Sequence, residues 1–300
     1  MKLTPAMYSY TVILVLVVVV FVMAINRNGP TMSMRNQDYR SLMNPCHCML
    51  APKGTLQEGP GLELMARFSN PSAPLPAAVD NWNSLVPVVD QGNWGSCTAF
   101  SMRYAYMLWA LRTNGSLPSE PSVAYWYAQS RLKLSNGALN DTGSTTAATV
   151  WVLATLGTPT NAQWPYTAAN VFVRPTISSS LLAVTRTNVP EKVTVYSNSA
   201  NTLTALKTVL QSGRTLLASI LVYSSMMTVK VFVSGTVPMP NTRRESVQGG
   251  HAIAVTGYDD RLQRFRFRNS WGSYDGINGE YTIPYAYLTN PSLAGSFYAF

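Results

Sequence analysis

The sequence predicts an α+β protein carried behind an N-terminal transmembrane helix, and three stretches support that reading. Residues 7–25 are nineteen residues without a charge. Residues 97–112 are apolar nearly all round over about four turns, which suits a buried helix. Residues 251–258 and 264–268 have the character of strands, the second alternating Arg and Phe with its charges on one face. With 12% charged and 47% hydrophobic residues, the chain has the apolar material for a core and does not resemble a disordered one. Three Cys are too few for a disulfide-stapled scaffold. Two His, His47 and His251, exclude a three-His metal centre.

The elements follow in chain order. At about 1.5 Å per residue, a helix over 7–25 spans roughly the 30 Å hydrocarbon layer of a bilayer. A cleaved signal peptide is the alternative, with 12–24 as its apolar region and Val22-Met23-Ala24 as the cleavage site. The full spanning length favours a retained single-pass anchor. Lys2 lies on one side and Arg27, Arg35 and Arg40 on the other. That bias directs the C-terminal part to the cytoplasmic or interior side.

Residues 27–74 read as a linker or short pro-segment, because seven Pro from Pro30 to Pro76 break any long helix. Cys46-His47-Cys48 has no partner pair at zinc-knuckle spacing, so free or acylated thiols are expected there and no metal. The net charge of +9 does not point to nucleic acid. From Asn81 onward, 16 basic and 9 acidic residues are scattered, apart from the 261–268 stretch.

Past the linker one thiol and one imidazole remain, Cys97 and His251. A loop with two Gly runs into Cys97, and Ser96 is the expected N-cap of the helix that follows. A thiol in a first helical turn feels the positive end of the dipole, so its pKa is expected to fall; a small buried Cys is the plainer alternative. His251 opens a buried strand expected to close in a turn at Gly257-Tyr258-Asp259, and the strand 264–268 delivers Asn269-Ser270-Trp271-Gly272. Cys, His and Asn in that order are the nucleophile, base and orienting group of a cysteine hydrolase. Further helices are expected over 147–156 and 203–211, and a strand over 215–223.

These residues resemble the motifs of the papain-like cysteine peptidases, the papain and cathepsin family, over about 75–300. Gln91 to Phe100 matches the family's Gln-Gly-x-Cys-Gly-Ser-Cys-Trp-Ala-Phe at eight of ten positions. His251 to Tyr258 matches His-Ala-Val-x-x-x-Gly-Tyr with Ile253 for Val, and Asn269 to Gly272 matches Asn-Ser-Trp-Gly outright. Trp164-Pro165-Tyr166 resembles the family's Tyr-Pro-Tyr.

The resemblance implies Cys97 as nucleophile, His251 as general acid–base and Asn269 as the group that orients it. It implies that Trp271 shields the His251–Asn269 bond, and that the Gln91 amide and the Cys97 N–H form an oxyanion hole. Gly143 and Ala252 become candidate substrate contacts, though a simple turn is the other reading of Gly143. The implied fold has two subdomains facing across a cleft, a helical one over 75–184 and a β-barrel-like one over 185–300. It further implies a monomeric peptidase acting on polypeptides with no cofactor.

The departures are specific. Trp94 stands where the family has a Cys, and Asp141 stands where that Cys finds its disulfide partner. Their joint loss fits a reducing compartment. Thr98 replaces the aromatic after the nucleophile, and Asp275 replaces a Trp beyond Asn-Ser-Trp-Gly. An endopeptidase is therefore expected; a catalytically silent member serving as a membrane-bound structural or interaction module is the second reading. An anchored version without disulfides is also compatible with a large DNA virus.

Overall fold

The computed structural model describes residues 74–134, 139–177, 191–193 and 199–300. The apolar run 7–25, the linker to residue 73 and Cys46-His47-Cys48 lie outside them. Among the described residues no helix is long and apolar enough to cross a membrane.

The helical half is built on α1 (Cys97–Asn114), α2 (Val123–Leu134) and α3 (Thr146–Thr155), with a short α4 (Ala168–Val171). α1 buries nearly every residue from Cys97 to Leu108, which explains its lack of an apolar stripe. One side of α1 packs with α2 and α3 around Trp126, Tyr125 and Leu153. Another side meets the sheet, where Tyr104, Met107 and Leu108 cluster with Ala254. α1 stops at Gly115, whose left-handed backbone returns its N–H to the Leu111 carbonyl. Thr145 caps α3 by accepting from the Ala148 N–H.

The second half is a seven-stranded antiparallel sheet with α5 (Ser199–Gln211), α6 (Val229–Ser234) and α7 (Tyr285–Leu288). Its strands are β1 (Ala78–Asp80), β2 (Glu191–Lys192), β3 (Leu216–Tyr223), β4 (Val247–Asp259), β5 (Arg264–Arg268), β6 (Glu280–Pro284) and β7 (Ala294–Ala299). The order is β2-β7-β3-β4-β5-β6, with β1 on β4. The expected barrel is thus an open sheet among the described strands, because its end strands β2 and β6 do not pair. β1 belongs to this half although it precedes the helices in sequence. Apolar side chains of β3, β4, β5 and β6 form the second core with Leu206 and Leu210 of α5.

Two expectations about β4 are corrected. His251 does not open the strand, which begins at Val247: β3 pairs Val222 with Gly249 and Leu221 with Gly250, so the two Gly continue the ladder. Gly257-Tyr258-Asp259 is no turn either, since β1 pairs with all three residues and the chain turns afterwards, over 260–263. Gly257 is needed because a Cβ there would lie 2.1 Å from the Val79 carbonyl oxygen. In β5, as expected, Arg264, Arg266 and Arg268 share a face. Arg266 and Arg268 pair with the two carboxylate oxygens of Glu280 across the ladder, and Arg268 also lies over the Trp82 ring at 4.2 Å.

Candidate active site

Cys97 is the first residue of α1 and is buried. It packs on Ala252 in the middle of β4, one residue beyond His251, and the Ala252 backbone hydrogen-bonds the thiol. The register is fixed from behind, where Ser101, one turn along α1, donates from its hydroxyl to the Ala252 carbonyl at 2.6 Å. Helix and strand are thereby locked at the level of the thiol.

His251 is 3% exposed, and its Nε2 lies 2.9 Å from Oδ1 of Asn269. The same oxygen accepts the Ser270 N–H at 2.9 Å, so the Asn269 side chain is held at both of these contacts. Trp271 stacks on the imidazole with ring centroids 4.9 Å apart and planes inclined at 27°. Behind Trp271 stand Phe232 and Tyr281. Tyr104 of α1 donates to the Asn269 carbonyl at 3.2 Å, tying this segment back to the helical half.

Gln91 is 1% exposed. Its Nε2 donates to the Trp94 carbonyl at 2.8 Å, and its Oε1 accepts from the Ser270 hydroxyl at 2.6 Å. Its backbone N–H donates to the Ser270 carbonyl at 2.8 Å, while Gly272 donates to the Val89 carbonyl at 3.2 Å. The segment 89–91 therefore runs as a short bridge alongside 270–272. Tyr166 closes the loop from the other side, donating to the Gln91 carbonyl at 2.8 Å and lying 2.6 Å from the Ser96 hydroxyl.

That last contact corrects an expectation. Ser96 occupies the N-cap position, but its side chain makes no cap hydrogen bond because the hydroxyl is turned to Tyr166. The electrostatics are corrected too. Burial pushes the Cys97 thiol up to about 11, outweighing the lowering by hydrogen bonds with the backbone of Ala252, Thr98 and Cys97 itself. Burial likewise pushes His251 down to about 4, against the raising effect of the Asn269 hydrogen bond. The helix-terminal effect anticipated for Cys97 is present but smaller than the cost of removing a lone charge from water. Burial thus disfavours the charged form of each group taken singly.

Gly143 is buried with φ of 71°, and its N–H donates to the Tyr127 hydroxyl at 3.2 Å. The residue lies beside the loop that precedes Cys97 through Asp141, whose Oδ1 accepts the Gly95 N–H at 3.0 Å. Thr98, smaller than the aromatic it replaces, accepts from the Thr149 hydroxyl of α3 at 3.0 Å. Asp275 has its pKa raised to about 6 by burial, with Asp90 adding to the shift. A shallow cleft opens beside His251, lined by Val222, Met227, Gln248, Gly249, Gly250 and Trp271.

The structure thus joins His251 to Asn269 and Trp271, sets Cys97 on Ala252 next to His251, ties Gln91 to Ser270 next to Asn269, and links Gly143 to the loop before Cys97 through Tyr127 and Asp141. Sequence reasoning assigned no part to Ser270, Tyr166 or Tyr104. Ser270 belongs to Asn269-Ser270-Trp271-Gly272 and Tyr166 to Trp164-Pro165-Tyr166, the signal the sequence offers for them; Tyr104 carries none. Among the described residues no cluster of His, Cys, Asp and Glu is suited to a metal.

Comparison with known proteins agrees with this arrangement. The family model described as papain family cysteine protease matches residues 75–287. An uncharacterized peptidase C1-like protein of Acanthamoeba polyphaga mimivirus is 28% identical over 213 residues, covering 70% of this chain and 68% of that protein. Xylellain, a cysteine protease from Xylella fastidiosa, superposes with a TM-score of 0.66 at 27% identity, over 77% of this chain and 89% of that one. Digestive procathepsin L 3 of the Tenebrio molitor larval midgut shares the fold, with a TM-score of 0.60 at 21% identity over 81% of this chain and 75% of that one.

Proposed function

The chain belongs to the papain family of cysteine proteases, and on that premise we propose that it is a membrane-anchored endopeptidase working through Cys97, His251 and Asn269. The observation that carries the reading is the 2.9 Å contact of His251 Nε2 with Asn269 Oδ1 beneath the Trp271 ring. It fixes the tautomer with the proton on Nε2 and directs the other ring nitrogen, as acceptor, away from Asn269.

The two charges of the reactive pair arise together. Proton transfer from the Cys97 thiol to His251 leaves the net charge of the site unchanged, and each new charge meets an opposite one instead of an apolar wall. The thiolate attacks the scissile carbonyl, forming a C–S bond as the carbonyl electrons move to oxygen. The Cys97 N–H and the Gln91 amide donate to that oxyanion. An amide nitrogen carries two hydrogens, and the hydrogen bond to the Trp94 carbonyl fixes the plane in which both lie. Collapse breaks the C–N bond, with His251 delivering its proton to the leaving amine. Water, deprotonated by His251, then releases the acid and restores the thiol. Gly143 and Ala252 line the path of the substrate backbone.

The anchor is residues 7–25, and the positive bias of Arg27, Arg35 and Arg40 directs the catalytic domain to the cytoplasmic or interior, reducing side. Protease digestion of intact membranes tests the topology: a protected catalytic domain is expected, and digestion from outside contradicts it. Hydrolysis of a fluorogenic peptide by the full chain tests the chemistry. Turnover is expected in the wild type and absent in Cys97→Ala; equal rates in both overturn the assignment.

A further inference from the structure

The position that differs from the family opposite Trp94 is occupied by a hydrogen-bonded network. One carboxylate oxygen of Asp141 accepts the Gly95 N–H at 3.0 Å and the Tyr127 hydroxyl. The same hydroxyl accepts the Gly143 N–H at 3.2 Å. Arg131 lies 3.8 Å over the Tyr127 ring and donates to the carbonyls of Leu139 at 2.9 Å and Asn140 at 2.8 Å, holding the chain that leads into Asp141. Trp94 fills the space beside it, edge-on to Tyr166 at 5.0 Å and to Phe172 at 5.7 Å. Gly95 is two residues before Cys97, and Gly143 is on the substrate wall. A single oxygen therefore links the loop that sets the nucleophile to the wall that faces the substrate.

We propose that Asp141 is a positioning residue, a sulfur-free clasp that fixes the Gly143 wall against the Gly95–Cys97 loop through Gly95 and Tyr127. The physical argument is one of entropy and directionality. Both loops lack regular structure around these residues, so nothing in a helix or strand ladder sets their separation. Charge-assisted hydrogen bonds to a carboxylate are about twice as strong as neutral ones and fix direction as well as distance. Unlike a disulfide, such a link is indifferent to reductant, which suits an enzyme whose own nucleophile must stay reduced. The inference rests on Cys97 being the nucleophile and Gly143 a substrate contact.

The test uses the full chain with Asp141→Ala, Asp141→Asn and Tyr127→Phe. Hydrogen exchange is read at the Gly95 and Gly143 amides, kcat and KM are read on an extended fluorogenic peptide, and iodoacetamide reports the Cys97 thiol. Asp141→Ala is expected to speed exchange at both amides at least tenfold and to raise KM at least fivefold. Asp141→Asn keeps an acceptor oxygen for Gly95 and Tyr127 but loses the charge, and is expected to fall between wild type and Asp141→Ala in exchange and KM. Tyr127→Phe is expected to release Gly143 while leaving Gly95 protected. Protected amides and unchanged KM in Asp141→Ala overturn the proposal, and so does an Asp141→Asn protein as impaired as the alanine variant. If Asp141→Ala does not fold, Tyr127→Phe carries the test, and an unaltered Gly143 amide and KM overturn it. A wild type that reacts with iodoacetamide at Cys97 but cleaves no peptide defeats the peptidase reading instead, while exchange still judges the clasp.

Discussion

The Ser270 hydroxyl donates a 2.6 Å hydrogen bond to Oε1 of Gln91, across 179 residues of sequence. It turns an amide, which could flip, into one whose nitrogen has a fixed direction. Ser270 is also adjacent to Asn269, so consecutive residues orient the His251 ring and the Gln91 amide.

Gln91→Ala should lower kcat by about 10²–10³, the cost of about 2.7–4 kcal/mol expected for one oxyanion donor. Ser270→Ala should cost roughly tenfold, about the worth of one buried hydrogen bond. Because the serine acts through the glutamine, the double variant should be no slower than Gln91→Ala. Additive losses in kcat would show that Ser270 acts by another route.

The pH profile of kcat/KM should be a broad bell. The competent state holds one proton between Cys97 and His251. A second proton enters as pH falls through about 4, where burial holds the imidazole, and the last leaves as pH rises through about 11, where burial holds the thiol. The same His251 shift bears on stability. An unfolded imidazole is protonated below about 6.5 and the folded one resists to about 4, so stability is full above 6.5 and declines as pH falls between those values. A chemical-denaturation series between pH 7 and pH 4 measures it.

Trp271→Ala should raise the acid limb from about 4 toward the ordinary imidazole value of 6.5, because the stacked indole is part of what keeps water from His251. Activity at pH 5 should then fall more than activity at pH 8. An acid limb that stays near 4 would assign the burial to other neighbours, such as Ala252.

Gly257→Ala should destabilise the fold by about 1–3 kcal/mol or more, since its Cβ would lie 2.1 Å from the Val79 carbonyl oxygen and displace β1 from β4. The urea midpoint measures it. Substitution at Gly115, where a Cβ meets nothing within 4 Å, should cost only the strain of a left-handed backbone.

What could be read from sequence was local. The helix at Cys97 was visible because α1 is buried on most sides, and it runs to Asn114 where the composition suggested Arg112. The strand at Arg264–Arg268 showed in its alternation. His251, Asn269 and Gln91 sat in short motifs whose spacing survives without any knowledge of the fold. Contacts made across the chain were not visible. Nothing local to Gly257 announces that Val79 arrives beside it, so a strand residue read as a turn. Asp141 and Gly95 are 46 residues apart, and only the fold brings them within hydrogen-bonding distance. The sign of the Cys97 shift was missed for the same reason: the helix end is a sequence feature, whereas burial under Ala252 comes from the packing of β4.

The most direct measurement of the central claim is peptide mapping of the full chain after reaction with a thiol-directed peptidyl epoxide. One equivalent should appear on Cys97. His251→Ala should slow its formation by roughly 10²–10⁴, the range for loss of a general base. No adduct on Cys97, or an adduct formed at the same rate without His251, would contradict the account.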